Sequence, residues 1–292
     1  MRRVMSHKDI YLGTANFGIP YGVANDVVMT NQEVDEVLTW SCGKIKILDY
    51  APEYYGAKDR LVNFSKNFEI TTKVNFQNFS SVRDLESHIE QQMLDLGVDR
   101  FKEVLVRYAP DPSPRSKILW DALCDLKRSG IVQSVGFSIY SPNEFLSAVK
   151  EYAGVDVFQV PESVVNRHFS DFLSTHANFT KEFKFIVRSI FLQGLLLMEL
   201  HRVPKHLKLT IPTIRAIQQE ASRQSISLLE LLIGYTQNLP WSTGTVIGVN
   251  SCDQLKIVYE AIEREQQVDL GFIRDMPIPP NGLLDPRTWK RS

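Results

Sequence analysis

Residues Glu103–Gly154, EVLVRYAPDPSPRSKILWDALCDLKRSGIVQSVGFSIYSPNEFLSAVKEYAG, alternate between two kinds of segment. EVLVRY (from Glu103) and QSVGFS (from Gln133) are short apolar runs without strict alternation, the pattern of parallel strands buried on both faces. Each is followed by a segment with a Ser-Pro start and a glycine stop: Ser113-Pro114 to Gly130, then Ser141-Pro142 to Gly154. Proline suits the first turn of a helix, and glycine suits the residue just past its end. Strand, helix, strand, helix is therefore the repeating unit.

The unit extends in both directions. Further strands are expected at DIYLG (from Asp9), IKILD (from Ile45), EITTK (from Glu69), VDVFQV (from Val155), KFIVRS (from Lys184) and GTVIGV (from Gly244). Helical spacing recurs in NQEVDEVLTW, where Asn31 fits an N-cap and Val34, Val37 and Leu38 share a face. It recurs in SVRDLESHIEQQMLDLG, where Gly97 fits the C-cap, and in SCDQLKIVYEAIE after the eighth strand. The stretch from Gln193 to Leu239 holds two or three helices. Eight such units predict an α/β fold, a (β/α)8 TIM barrel, as one domain over 1–292 with a C-terminal tail from about 271. The competing doubly wound sheet would place GxGxxG after the first strand, and that motif is missing.

With net charge -1 and scattered Lys and Arg, the chain has no electrostatic footprint for nucleic acid or an anionic membrane. The N-terminal MRRVMSHKDIYLG lacks the apolar stretch of a signal peptide, and no run approaches a membrane span. Cys42, Cys124 and Cys252 are far apart and read as reduced thiols of a cytoplasmic protein. The six histidines show no metal-ligand spacing, so no metal site is expected. Oligomeric state is not legible.

In such barrels the chemistry lies at the C-terminal strand ends. Those ends carry Asp49, Lys73, Arg107-Tyr108, Ser138, Gln159, Arg188-Ser189 and Gly248, with Asn250 and Ser251 beyond. Taken singly, Asp49 could cap a helix and Lys73 could be a solvated charge. Together with a phenol from Tyr54 or Tyr55 they make a proton donor. An ammonium favours the phenolate and lowers a phenol's ordinary pKa of about 10, and the acid fixes the ammonium. That set could protonate a carbonyl oxygen as hydride reaches its carbon.

The ordered pieces LGTANFGIPYGVAN, DYAPEYYG, TTKV, VGFS, FQVPESVVNR and VRSIFLQGLLL resemble the aldo-keto reductase superfamily, nearest to its bacterial branch associated with sugar and polysaccharide metabolism. The resemblance implies Asp49, a tyrosine and Lys73 as catalytic residues. It implies Gly13 and Thr14 near the cofactor, and Ser138 and Gln159 on the nicotinamide carboxamide. Ser189, beside Arg188 and before Gly194, would meet the pyrophosphate. IGVNSCDQL, with Gly248, Asn250, Ser251 and Gln254, would embrace the adenosine phosphate. NADP is the cofactor this implies, with NAD as the alternative, because the family often has Arg where Asn250 stands. The family spacing D-x-A-x-x-Y-G gains a residue here, so counting forward from Asp49 gives Tyr54 and counting back from Gly56 gives Tyr55; the glycine and the helix behind it favour Tyr55. Tyr108 takes the place of the family's carbonyl-orienting histidine, and a phenol can still donate a hydrogen bond. The expected partner is a small-molecule carbonyl compound whose identity the loops Pro110–Pro114 and MPIPPNGLLDPRTW do not spell out. Two other readings stay open: a non-catalytic nucleotide-binding regulatory subunit, and a barrel lyase or epimerase.

Overall fold

The computed structural model describes residues 8–23, 28–108, 112–264 and 267–289. Pro110, in one of the expected substrate loops, lies outside them. Eight parallel strands close on themselves in chain order: β1 (Asp9–Gly13), β2 (Ile47–Asp49), β3 (Glu69–Val74), β4 (Phe101–Arg107), β5 (Val132–Ser138), β6 (Val157–Pro161), β7 (Lys184–Arg188) and β8 (Gly244–Gly248). The barrel closes through pairing of β1 with β8, where Asp9 meets Gly244 and Gly13 meets Gly248. All eight expected strands form, and the fold is the (β/α)8 barrel.

Helices surround it: α1 (Asn31–Ser41), α2 (Ala57–Leu61), α3 (Val82–Leu96), α4 (Pro114–Arg128), α5 (Pro142–Glu151), α6 (His168–Thr175), α7 (Phe179–Glu182), α8 (Ile211–Arg223), α9 (Leu228–Gln237) and α10 (Cys252–Glu263). The cap of α1 is Thr30, not Asn31: its hydroxyl accepts from the Glu33 amide while the Glu33 carboxylate accepts from the Thr30 amide. This reciprocal box satisfies two amides that the first turn leaves without partners. Ser113 and Ser141 cap α4 and α5 ahead of their prolines, and Gly97 ends α3 at a φ of 64°, a left-handed conformation that glycine adopts without steric penalty.

Two apolar layers result. Phe137, Phe158 and Phe185 face outward from β5, β6 and β7, where Phe145 of α5 packs on Phe158 and Trp120 of α4 stacks on Phe137. A second, smaller cluster of Tyr11, Ile47, Leu105, Val157 and Ile186, with Val246 against it, fills the barrel interior. Below it the buried Glu103 carboxylate accepts from the Tyr11 hydroxyl at 3.0 Å and from the Thr71 hydroxyl.

Candidate active site

Because side chains alternate across a strand, the residue two places beyond each interior side chain faces the same axis, one layer nearer the strand ends. Two beyond Tyr11, Ile47, Leu105, Val157, Ile186 and Val246 stand Gly13, Asp49, Arg107, Gln159, Arg188 and Gly248. All six line one cavity of about 570 Å³, joined there by Lys73 from β3 and Ser138 from β5.

At its floor, Lys73 Nζ lies 2.6 Å from Asp49 Oδ1, with both side chains buried. Gln159 Nε2 donates to the same oxygen at 2.7 Å, and the Ser138 hydroxyl donates to Gln159 Oε1 at 3.3 Å. Four strand ends are thus tied into one chain of hydrogen bonds, the arrangement a buried charge requires. Burial pulls the Lys73 pKa below its ordinary value, and the Asp49 charge opposes that pull.

The phenol beside this pair is Tyr54. Lys73 Nζ lies 5.9 Å from its ring centroid, as does the Arg107 guanidinium carbon. Tyr55, favoured by the sequence, points away and is 75% exposed. The reason is the turn between β2 and α2. The Tyr54 amide donates to Ala51 O, the Ala57 amide donates to Tyr54 O, and Gly18 presses against this backbone so closely that a Cβ there would stand 2.2 Å from Tyr55 O. The turn is fixed, and of two adjacent side chains it presents the first inward. Burial, and next the Asp49 carboxylate, push the Tyr54 phenol well above its usual range, while Arg107 and Arg188 pull it back. The net shift is therefore upward, in place of the expected lowering, and it favours the protonated phenol.

Three further expected residues stand outside the innermost layer of side chains. Tyr108 does not occupy the interior position at the end of β4. Arg107 does, while Tyr108 lines the same cavity at its rim, 39% exposed and stacked on Tyr140. Thr14 is buried but turned into the chain, where its hydroxyl and amide both donate to Asp49 O, pinning β1 to β2 outside the cavity lining. Ser251 caps α10 by accepting from the Gln254 amide and borders an outer groove between α1 and α10 instead. Gly13, Ser138, Gln159, Arg188, Ser189, Gly194, Gly248, Asn250 and Gln254 do line the cavity.

Sequence reasoning passed over several lining residues. Tyr21 and Asn16 come from the segment after β1, and Asn16 Nδ2 donates to Val249 O at 3.1 Å and to Asn250 Oδ1. Tyr140 lies 4.1 Å below the Arg188 guanidinium carbon and 3.6 Å from that of Arg287 in the C-terminal segment. Arg107, named as a strand-end residue but given no role, is placed inside by counting in twos from Leu105; the others depend on loop paths.

The cavity suits an extended ligand. It runs from Tyr54 to Ile257 and Val258 on α10, and a Cβ at Gly194 or Gly248 would meet nothing within 4 Å, so both glycines keep its walls open. Ser138 and Gln159 add hydroxyl and amide groups to its lining. These residues fit a nicotinamide dinucleotide, in a volume ordinary for cofactor sites. Among the described residues no helix is long and apolar enough to cross a membrane.

The Aldo/keto reductase family model matches residues 9–269. No curated protein sequence matches the chain. Among solved structures the chain is similar to aldo-keto reductase AKR11C1 from Bacillus halodurans in its holo form, with a TM-score of 0.71 at 17% identity over 91% of each chain. It is also similar to glycerol dehydrogenase AKR11B4 from Gluconobacter oxydans, with a TM-score of 0.65 at 16% identity, covering 89% of this chain and 93% of that one. At such identities the likeness establishes the shared barrel.

Proposed function

This chain belongs to the aldo/keto reductase family, and we propose that it reduces an aldehyde or ketone with a nicotinamide dinucleotide, Tyr54 supplying the proton. The observation that carries this reading is the buried Lys73–Asp49 pair beside the Tyr54 phenol, in a cavity of about 570 Å³. When bound, the reduced nicotinamide would supply a hydride, one proton with two electrons, to the carbonyl carbon.

The chain's own residues do the rest. Ser138 and Gln159 would hold the carboxamide, and Ser189 and Arg188 the pyrophosphate, while Asn250 and Gln254 would face the adenosine. A carbonyl oxygen placed against Tyr54 would accept its proton as charge builds on that oxygen, and the phenolate left behind is the form that the neighbouring Lys73, Arg107 and Arg188 cations favour. Solvent then returns the proton. Asp49 keeps Lys73 charged and fixed, so the cation is in place before reaction begins. NADP is the first choice from the family resemblance and NAD the alternative; the substrate of sugar type stands on that resemblance too.

Titrating the purified protein with NADPH and with NADH, following nicotinamide fluorescence, tests the reading. Binding of at least one, followed by loss of nicotinamide absorbance with a panel of aldehydes and ketones, is expected. Binding without turnover of any carbonyl would favour a regulatory subunit, and binding of neither would remove both.

A further inference from the structure

Beside Lys73, the carbonyl end of the cavity holds a second cation, Arg107. The inference drawn from it deepens the reductase reading and rests on it. Lys73 is committed to Asp49 at 2.6 Å. Arg107 is different. It projects into the same layer from β4, its guanidinium carbon 5.9 Å from the Tyr54 ring centroid. Among the described residues its one carboxylate contact is Glu53, at 3.3 Å from Nη2, and its buried Nε has no hydrogen-bond partner there. Glu53 Oε2 is likewise buried without a hydrogen bond among the described residues, so the two face each other without the paired geometry that would use up the guanidinium.

Elsewhere around this guanidinium stand the phenols of Tyr54, Tyr108 and Tyr140. A guanidinium has five donors in a rigid fork and stays charged at every working pH. Arg107 lines the cavity with 26% of its side chain exposed, so a ligand there can reach its terminal nitrogens. The position is also informative. The residues expected to hold the cofactor come from β5 to β8 and α10, whereas Arg107 comes from β4 on the Tyr54 side, where the reacting carbonyl must sit.

We infer that Arg107 is the anchor for an anionic group on the substrate: the carbonyl compound carries a carboxylate a few bonds from its carbonyl, as in an aldehydic or oxo acid. The carbonyl oxygen meets Tyr54 while the carboxylate takes the open donors of Arg107. A carboxylate fits better than a phosphate, because Glu53 already offsets part of the Arg107 charge and would repel a dianion more strongly than a monoanion.

Two measurements test this, the first without turnover. Isothermal titration calorimetry with benzoate and its neutral isostere benzamide, in the presence of NADPH or NADH, should show benzoate binding at least tenfold more tightly. Arg107→Met should erase that preference and Arg107→Lys should retain part of it. The second compares kcat/KM for 4-formylbenzoate and 4-methylbenzaldehyde. The carboxylated aldehyde should be favoured at least tenfold, and Arg107→Met should lower it at least tenfold more than the neutral one. Equal binding of benzamide, a preference that survives Arg107→Met, or equal loss for both aldehydes would overturn the assignment. Tighter binding of phenyl phosphate than of benzoate would overturn the choice of carboxylate. If neither nucleotide binds but the Arg107-dependent benzoate preference persists, the anion site stands and the reductase reading falls.

Discussion

Breaking the Lys73–Asp49 pair from each side in turn, and then from both, should reveal whether the site is built on a charge pair. The contact is 2.6 Å and both side chains are buried. At an effective dielectric constant of about 20, unit charges this close attract by roughly 6 kcal/mol. Removing both from water offsets much of that attraction, so the net value of the pair is small, but removing one partner strands the other. Lys73→Met leaves the Asp49 carboxylate with Gln159 as its remaining side-chain donor, and should cost about 3–5 kcal/mol. Asp49→Asn strands the ammonium instead. Burial already lowers the Lys73 pKa, and without Asp49 it falls further below the unfolded value. The folded variant then binds fewer protons than the unfolded one, so its deficit should shrink as pH rises toward the unfolded pKa of about 10.4. The double variant should be less destabilised than the sum of the single ones by about 1–3 kcal/mol. Urea denaturation followed by circular dichroism on the four proteins supplies every term. Single losses below about 1 kcal/mol that add within about 0.5 kcal/mol would refute a coupled buried pair.

Two other perturbations follow from the packing. Gly18→Ala drives a Cβ into the backbone of the Tyr54 turn, 2.2 Å from Tyr55 O and 2.6 Å from Tyr54 O; it should cost about 1–3 kcal/mol and lower kcat by displacing Tyr54, and an unchanged urea midpoint would contradict this. Glu162, fully buried after β6, accepts from the hydroxyls of Ser170 and Tyr235, and burial pushes its carboxyl up to about 8. Its contribution is present in full below the unfolded pKa of about 4.3 and is lost as pH rises toward 8, by up to roughly 1.4 kcal/mol per pH unit. Glu162→Gln should therefore flatten the decline in stability between pH 5 and 8, and an identical pH profile for both proteins would refute the assignment.

The barrel was legible because each strand is a short β-branched or apolar run whose identity needs no distant information. Ile45 and Val155 flank strands that begin at Ile47 and Val157, a displacement of two residues that leaves every facing direction intact. Local signals could still be misread: Thr30 and Glu33 form the capping box, although Asn31 is also a good cap residue. The choice between Tyr54 and Tyr55 was not legible. It depends on Gly18, more than thirty residues away, pressing on the turn. Arg107 was legible as a strand-end residue but was given no role, for a different reason. The family motif directed attention to Tyr108, whereas the two-residue period of β4, running from Leu105, names its neighbour. Thr14 and Ser251 have side chains that satisfy nearby backbone groups, a use that motif matching cannot separate from ligand contact.

The central claim is that Tyr54 gives up the proton, and replacing each tyrosine by phenylalanine tests it most directly. With a carbonyl substrate and saturating cofactor, followed by nicotinamide absorbance, Tyr54→Phe should lower kcat by about 10²–10⁴-fold while Tyr55→Phe stays within about twofold of the unaltered protein. Full turnover in Tyr54→Phe, or a collapse in Tyr55→Phe alone, would contradict the account.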